Sequence, residues 1–319
     1  MHLNNKVKNM IETFNNIASE PIASWGGAWT EDKLDTFEKY VRAYLTIMNK
    51  YRDLYNWKLI YFDGFAGSGS RSIDNTDDDS DNMILELFEN HYIQSEDISM
   101  YKGAAERVLG IQQKGFDYYY FIDKDESANN LLKSKLESLH PDKKGRLVFR
   151  PNDANTEVEK MADFLRQNIN YKALVLLDPF GMQLNWQSIQ KLQNTGTDLW
   201  ILIPTGVIVN RLLDRKGELK HIDTLTAFFG KDEDFIRDYF YKQRTEPSLF
   251  GDNTTIEKVR EPIRKIAELY LQQLKGIFKF ATPEPLVLYN SRHTPIFHFA
   301  FASNNKNAVK IAKQIIGKM

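Results

Sequence analysis

Five short runs of this chain are almost purely apolar, and each stops at or near an acid or a proline. They are KLIYF before Asp63, YYYFI before Asp123, RLVFR (146–150) shortly before Asp153, ALVLL before Asp178 and LWILI before Pro204. Such runs are too short for buried helices and are rich in strand formers. Between them lie segments with helical spacing of apolar residues, at 127–139, 155–168 and 186–192. A strand without a polar face has to be covered on both sides. The pattern therefore predicts an α/β fold with a doubly wound, mostly parallel sheet.

The rest of the chain decorates that sheet. Residues 32–55 read as an amphipathic helix with Leu34, Phe37, Val41, Tyr44, Leu45 and Met48 on one face and Thr30 as its cap. Residues 101–113 also read as helical. The stretch 208–274 reads as mostly helical, with helices at 207–213, 222–229, 232–241 and 256–274, the last containing Pro262. Strands at 286–290 and 296–302 flank a hairpin-like link, and 306–316 closes the chain as a helix. The expected organisation is an N-terminal helical extension (1–57), a Rossmann-like domain (58–206 and 280–319) ending in a reversed strand pair, and a helical insertion (207–279).

Composition removes several function classes. The 319 residues include 42 Lys+Arg and 43 Asp+Glu, a net charge of −1. A uniformly basic nucleic-acid binder is not indicated, although a local basic face stays open. There is no cysteine, which excludes disulfides, thiol nucleophiles and cysteine-held metal sites and fits a cytoplasmic protein. The six histidines are scattered, so no metal site is expected. The first residues lack the apolar core of a signal peptide, and no apolar run is long enough to span a bilayer. Residues 73–100 contain Asp74, Asp77, Asp78, Asp79 and Asp81. They read as an inserted acidic loop with one short helix at 83–91. Such a cluster either holds a divalent cation or is a solvated loop of mutually repelling charges.

In a doubly wound sheet, ligands gather at the carboxyl ends of the strands, where strand order reverses. The loop Asp63-Gly64-Phe65-Ala66-Gly67-Ser68-Gly69 falls there and is nearly bare backbone, as close approach of a ligand requires. A phosphate loop would need a lysine after the last glycine. A nicotinamide fingerprint would need a third glycine and an acid about 20 residues on. Neither is present. S-adenosylmethionine, which has no pyrophosphate, fits better. Asp63 and the glycine loop would underlie its methionine part. Asp123, or its close competitor Asp125, would accept from the ribose hydroxyls, and Asp153, with Ala154 beside it, from the adenine amine. Each acid also has a structural explanation, because Asp is a favoured helix cap.

The FAGSG loop resembles the cofactor loop of DNA amino-methyltransferases. The stretch Leu177-Asp178-Pro179-Phe180-Gly181 resembles the strand-end motif of nucleobase-amine methyltransferases, (D/N/S)PP(Y/F). It departs from that motif in placing Phe180 at the second proline and Gly181 at the aromatic. As DPFG it resembles the form in tRNA guanine-N2 dimethyltransferases. The combination of Lys33, YFDGFAGSGSR, LLDPFG, LWILIPTG with Asn210 and Arg211, and the closing strand and helix is similar, over about residues 29–319, to the three-Cys-motif partner family. That resemblance implies a class I S-adenosylmethionine-methyltransferase-like fold. It also implies a partner, a three-Cys-motif protein that looks like a radical-SAM enzyme.

Two functions follow. One is an N-methyltransferase acting on an exocyclic amine of a nucleobase in DNA or RNA. The other is a non-catalytic partner built on the same fold. For catalysis, Asp178 would accept from the amine N–H, the Pro179 carbonyl would be a second acceptor, and Phe180 would lie against the base, with Gly181 completing the motif. The structural alternative is a tight turn, opened by Asp-Pro and closed by Gly. A metal-dependent nuclease using Asp77–Asp79 is a third reading. Arg211 is either a phosphate contact or half of an ion pair. Lys33, Lys39, Arg42 and Lys50 form either a basic face or a solvated one. Trp25, Trp29 and Tyr40 either stack bases or fill the core. Arg292 and His293 fall at the far end of the sheet if the last strands pair as a hairpin, and they are given no role.

Overall fold

The computed structural model describes residues 28–67, 103–246, 253–290 and 292–318. The readings for Trp25, Ser68, Gly69, the acidic stretch 73–100 and the helix at 83–91 lie outside the described residues.

The apolar runs form the strands of one sheet. These are β1 (Lys58–Asp63), β2 (Tyr118–Asp123), β3 (Leu147–Pro151), β4 (Tyr171–Leu177) and β5 (Thr197–Ile203). All five are parallel, in the order β3-β2-β1-β4-β5. The order reverses between β1 and β4. Two shorter strands and a long one follow: β8 (Phe280–Ala281), β9 (Leu286–Tyr289) and β10 (Pro295–Ser303). β10 lies antiparallel to β5, and both β8 and β9 pair antiparallel with β10. The sheet thus has eight strands and is mostly parallel, with the expected reversed pair at its end.

Alternation along each strand sends side chains to two cores. Leu59, Tyr61, Tyr119, Phe121, Leu174 and Leu176 meet α1 (Ala28–Tyr51), α2 (Ala104–Leu109), α3 (Glu126–Leu139) and α9 (Lys306–Ile316). Ile60, Phe62, Ala173, Val175 and Leu177 face the opposite layer. There α4 (Ala154–Gln167), α5 (Trp186–Gln190), α6 (Ile222–Phe229), α7 (Glu233–Phe240) and α8 (Pro262–Ile277) contribute. Residues 28–51 are therefore a layer of the sheet domain. The helices after β5 share the core of the sheet as well.

Several elements differ from the sequence reading. α1 begins at Ala28, so Thr30 lies within its first turn and does not cap it. α2 is only six residues long. Residues 241–246 and 253–258 are not helical. They form an antiparallel hairpin, β6 (Tyr241–Glu246) with β7 (Asn253–Lys258). Helix α8 starts at Pro262, which occupies its first turn, where a missing N–H costs nothing. Past β5, residues Thr205–Val209 form a wide π-turn that runs into a short helix at Asn210–Leu212.

Candidate functional site

The loop after β1 is stitched to both neighbouring strands. Gly64 N–H donates to the Leu176 carbonyl of β4 at 2.9 Å, and Ala66 N–H to the Ile122 carbonyl of β2 at 2.9 Å. Gly67 N–H donates to Asp123 Oδ2 at 2.9 Å. Gly67 has φ +60°, a conformation that glycine adopts without steric cost. Gly64 is needed for a different reason. A Cβ there would lie 2.6 Å from Leu177 Cδ2, so a side chain at this position would have to displace the end of that leucine.

Asp63 ends β1 and is buried, with its carboxylate taking Tyr61 O–H at 3.0 Å and Phe65 N–H at 3.3 Å. Burial pushes its carboxyl up to about 7, and the nearby Asp178 charge adds to the rise. Its two hydrogen bonds and the Lys33 ammonium oppose that rise. Asp178, just past β4, receives Lys33 Nζ on Oδ2 at 2.6 Å. The Lys33 side chain is 9% exposed and that of Asp178 is 22% exposed. The same ammonium lies 5.5 Å from the centre of the Trp29 ring, and Trp29 stacks on Phe297 of β10.

The remaining acids divide by task. Asp123 receives Asp125 N–H on Oδ1 at 2.9 Å, in addition to Gly67 on Oδ2. It ties the β1 loop to the start of the α3 connection. Asp125 is the cap of α3, accepting from the N–H groups of Ser127 and Ala128. Asp153 caps α4 through Thr156 N–H, and Ala154 is the buried first residue of that helix. Asp153 lies just past β3, the strand two places from β1. The structure therefore gathers Asp63, Asp123 and Asp178 around residues 64–67. It leaves Asp125 and Asp153 in capping geometry.

In the DPFG segment, Phe180 N–H is held by Gln183 Oε1 at 3.1 Å, and the Phe180 side chain is 57% exposed. A Cβ on Gly181 would sit 3.3 Å from Ile208 Cδ1, which keeps this turn close to the π-turn after β5. Tyr40 is core, donating to the half-buried Asp198 of β5. Arg211 is exposed. The turn that carries Arg292 and His293 lies on the site's own rim. His298 of β10 pairs with Ile203, the last residue of β5, so the chain enters β10 from the carboxyl end of the parallel strands. The far-end placement is therefore wrong, because β10 runs antiparallel to β5.

Two features go beyond the sequence reading, which named Lys33 only in the resemblance and on a basic or solvated face. Lys33 belongs to the buried stripe of α1, spaced with Phe37, Tyr40 and Tyr44 at i, i+4, i+7 and i+11. That spacing was the available signal. Below the rim, Thr205 Oγ1 and His298 Nδ1 lie 2.7 Å apart, both buried, and burial pushes His298 down to about 4. Among the described residues, no group of three or more acids or histidines is arranged to hold a metal ion, and no helix is long and apolar enough to cross a membrane.

No family model matches the chain, and no curated protein matches it. Solved structures that are similar include protein LPL1258 of Legionella pneumophila, from family DUF519. It is 14% identical with a TM-score of 0.37, and the match covers 86% of this chain and 96% of that one. A conserved hypothetical protein of Streptococcus pyogenes is 12% identical with a TM-score of 0.25, covering 67% and 96%. At these values neither bears on the site.

Proposed function

We propose that this chain is an S-adenosylmethionine-dependent N-methyltransferase-like protein, acting on an exocyclic amine of a nucleobase in DNA or RNA. The observation that carries the reading is the meeting of Asp63, Asp123 and Asp178 around the 64–67 loop, at the reversal of strand order. A parallel sheet with one reversed strand inserted next to its last parallel member supports the same class.

The residues present fit the cofactor. Asp63 and Asp123 bring carboxylate acceptors to a cation that carries hydroxyl and ammonium donors. Gly67 keeps its segment free of side chains. When bound, S-adenosylmethionine would supply an electrophilic methyl group. The chain's own work is then to localise the lone pair of a conjugated amine. Asp178 Oδ1 accepts one amine N–H, because Oδ2 is held by Lys33. The Pro179 carbonyl accepts the second. The exposed Phe180 ring lies against the base plane. Asp125 caps α3 through Oδ1 alone and stays the alternative to Asp123 for the ribose hydroxyls, and Asp153 stays the candidate for the adenine amine beside its capping role. A cytoplasmic setting belongs to the proposal and is supported by the absence of cysteine.

A second reading, a non-catalytic partner of a three-Cys-motif protein, is favoured by one observation. The acceptor proposed for catalysis is itself engaged in an ion pair. The two readings part on methyl transfer. Purified protein incubated with methyl-labelled S-adenosylmethionine and total RNA or DNA is expected to label nucleic acid, and Asp178→Ala to abolish labelling. A wild-type protein that binds the cofactor and labels nothing favours the partner role.

A further inference from the structure

Lys33 reaches the rim from a helix, and its partner Asp178 is 145 residues away in sequence. A lysine on an amphipathic helix ordinarily keeps its ammonium in water. This one is 9% exposed, and burying it is compensated only by an opposing charge. Two carboxylates face it: Asp63 from β1 and Asp178 from the loop after β4. Among the described residues, the other ionisable group at the cluster is Tyr61, which donates to Asp63. Two adjacent, poorly hydrated carboxylates do not both stay ionised without a cation. Fastening α1 to the sheet does not explain the pair. Tyr40 already joins α1 to Asp198 of β5, and Arg107 of α2 joins Glu31 and Asp35 of α1.

We propose that Lys33 is a positioning residue of the site, holding Asp178 Oδ2 so that Oδ1 is left for the substrate amine. α1 is then part of the site and not an appendage. The inference rests on the proposed reading for the identity of the amine, and on geometry alone for the charge pairing.

Carboxyl-carbon NMR of the full chain, titrated between about pH 4 and 9, tests it. In Lys33→Met the ionisation of Asp63 is expected to move up by about one pH unit or more, while Lys33→Arg keeps the wild-type titration. A Lys33→Met titration within about 0.3 unit of wild type overturns the proposal. Should Lys33→Met fail to fold, Lys33→Gln reads the same coupling at Asp63. The Asp63 titration is then expected to move up as in Lys33→Met, and an unchanged Asp63 titration overturns the proposal. For methyl transfer, Lys33→Met is expected to lower kcat by about tenfold or more with KM for the methyl donor little changed. A fall confined to KM contradicts the positioning role. If the wild type itself transfers no methyl group, the functional reading fails, and the NMR titration still decides what Lys33 does.

Discussion

A carboxylate with almost no water around it is a liability at neutral pH, and Asp63 is one. Its unfolded counterpart ionises near 3.8, whereas the folded protein holds the proton up to about 7. Between those values the folded state carries the extra proton, so stability falls as pH rises. The contribution is complete below 3.8 and gone above about 7. The difference corresponds to about 4 kcal/mol at most. Asp63→Asn keeps the shape and the acceptor oxygen, and has no charge to bury. It is expected to melt higher than wild type at pH 8 and to show little pH dependence through the window. Equal melting curves for the two proteins at pH 8 would mean that Asp63 is better solvated than its surroundings imply. A strand-end acid kept at this cost fits a site selected for something other than stability.

At the scale of elements, α1 is held by charge as much as by packing. Arg107 of α2 bonds Asp35 at 2.6 Å and Glu31 at 2.5 Å, with Glu38 at 3.5 Å, all on one face of α1. Arg107→Met leaves three acids facing one another and is expected to cost about 2 kcal/mol, read by urea denaturation. A loss below about 0.5 kcal/mol would assign α1 docking to the aromatic core alone. That core is large, with Phe37, Tyr40, Val41 and Tyr44 packed against Trp200 and Phe301. α1 was legible because its apolar stripe repeats at 3.6 residues. The β6–β7 hairpin was not. Lys242–Thr245 and Thr255–Glu257 are exposed, so they lack the period-two pattern that marks a half-buried strand. Their state is set by cross-strand pairing, which no local window contains.

Over the whole molecule, the strands and their direction followed from apolar runs that both faces of a sheet must cover. The acids at their ends were equally visible. Which of those acids cap helices was not, because a cap and a ligand site ask for the same residue at the same place. Asp125 and Asp153 separate from Asp63 and Asp178 only once hydrogen-bond partners are assigned. Lys33 lay hidden for a related reason, since its partner is brought to it by sheet topology. The fold places Asp63 and Asp123 at the ends of β1 and β2 and Asp178 just past β4, on adjacent strands, with the glycine loop between them. Calorimetric titration of S-adenosylhomocysteine into the full chain asks whether that arrangement holds a nucleoside. A single-site isotherm in the micromolar range is expected, lost in Gly67→Trp and weakened about tenfold or more in Asp123→Ala. No heat at about 1 mM ligand, or an isotherm indifferent to Gly67→Trp, would show that the rim is not the cofactor site.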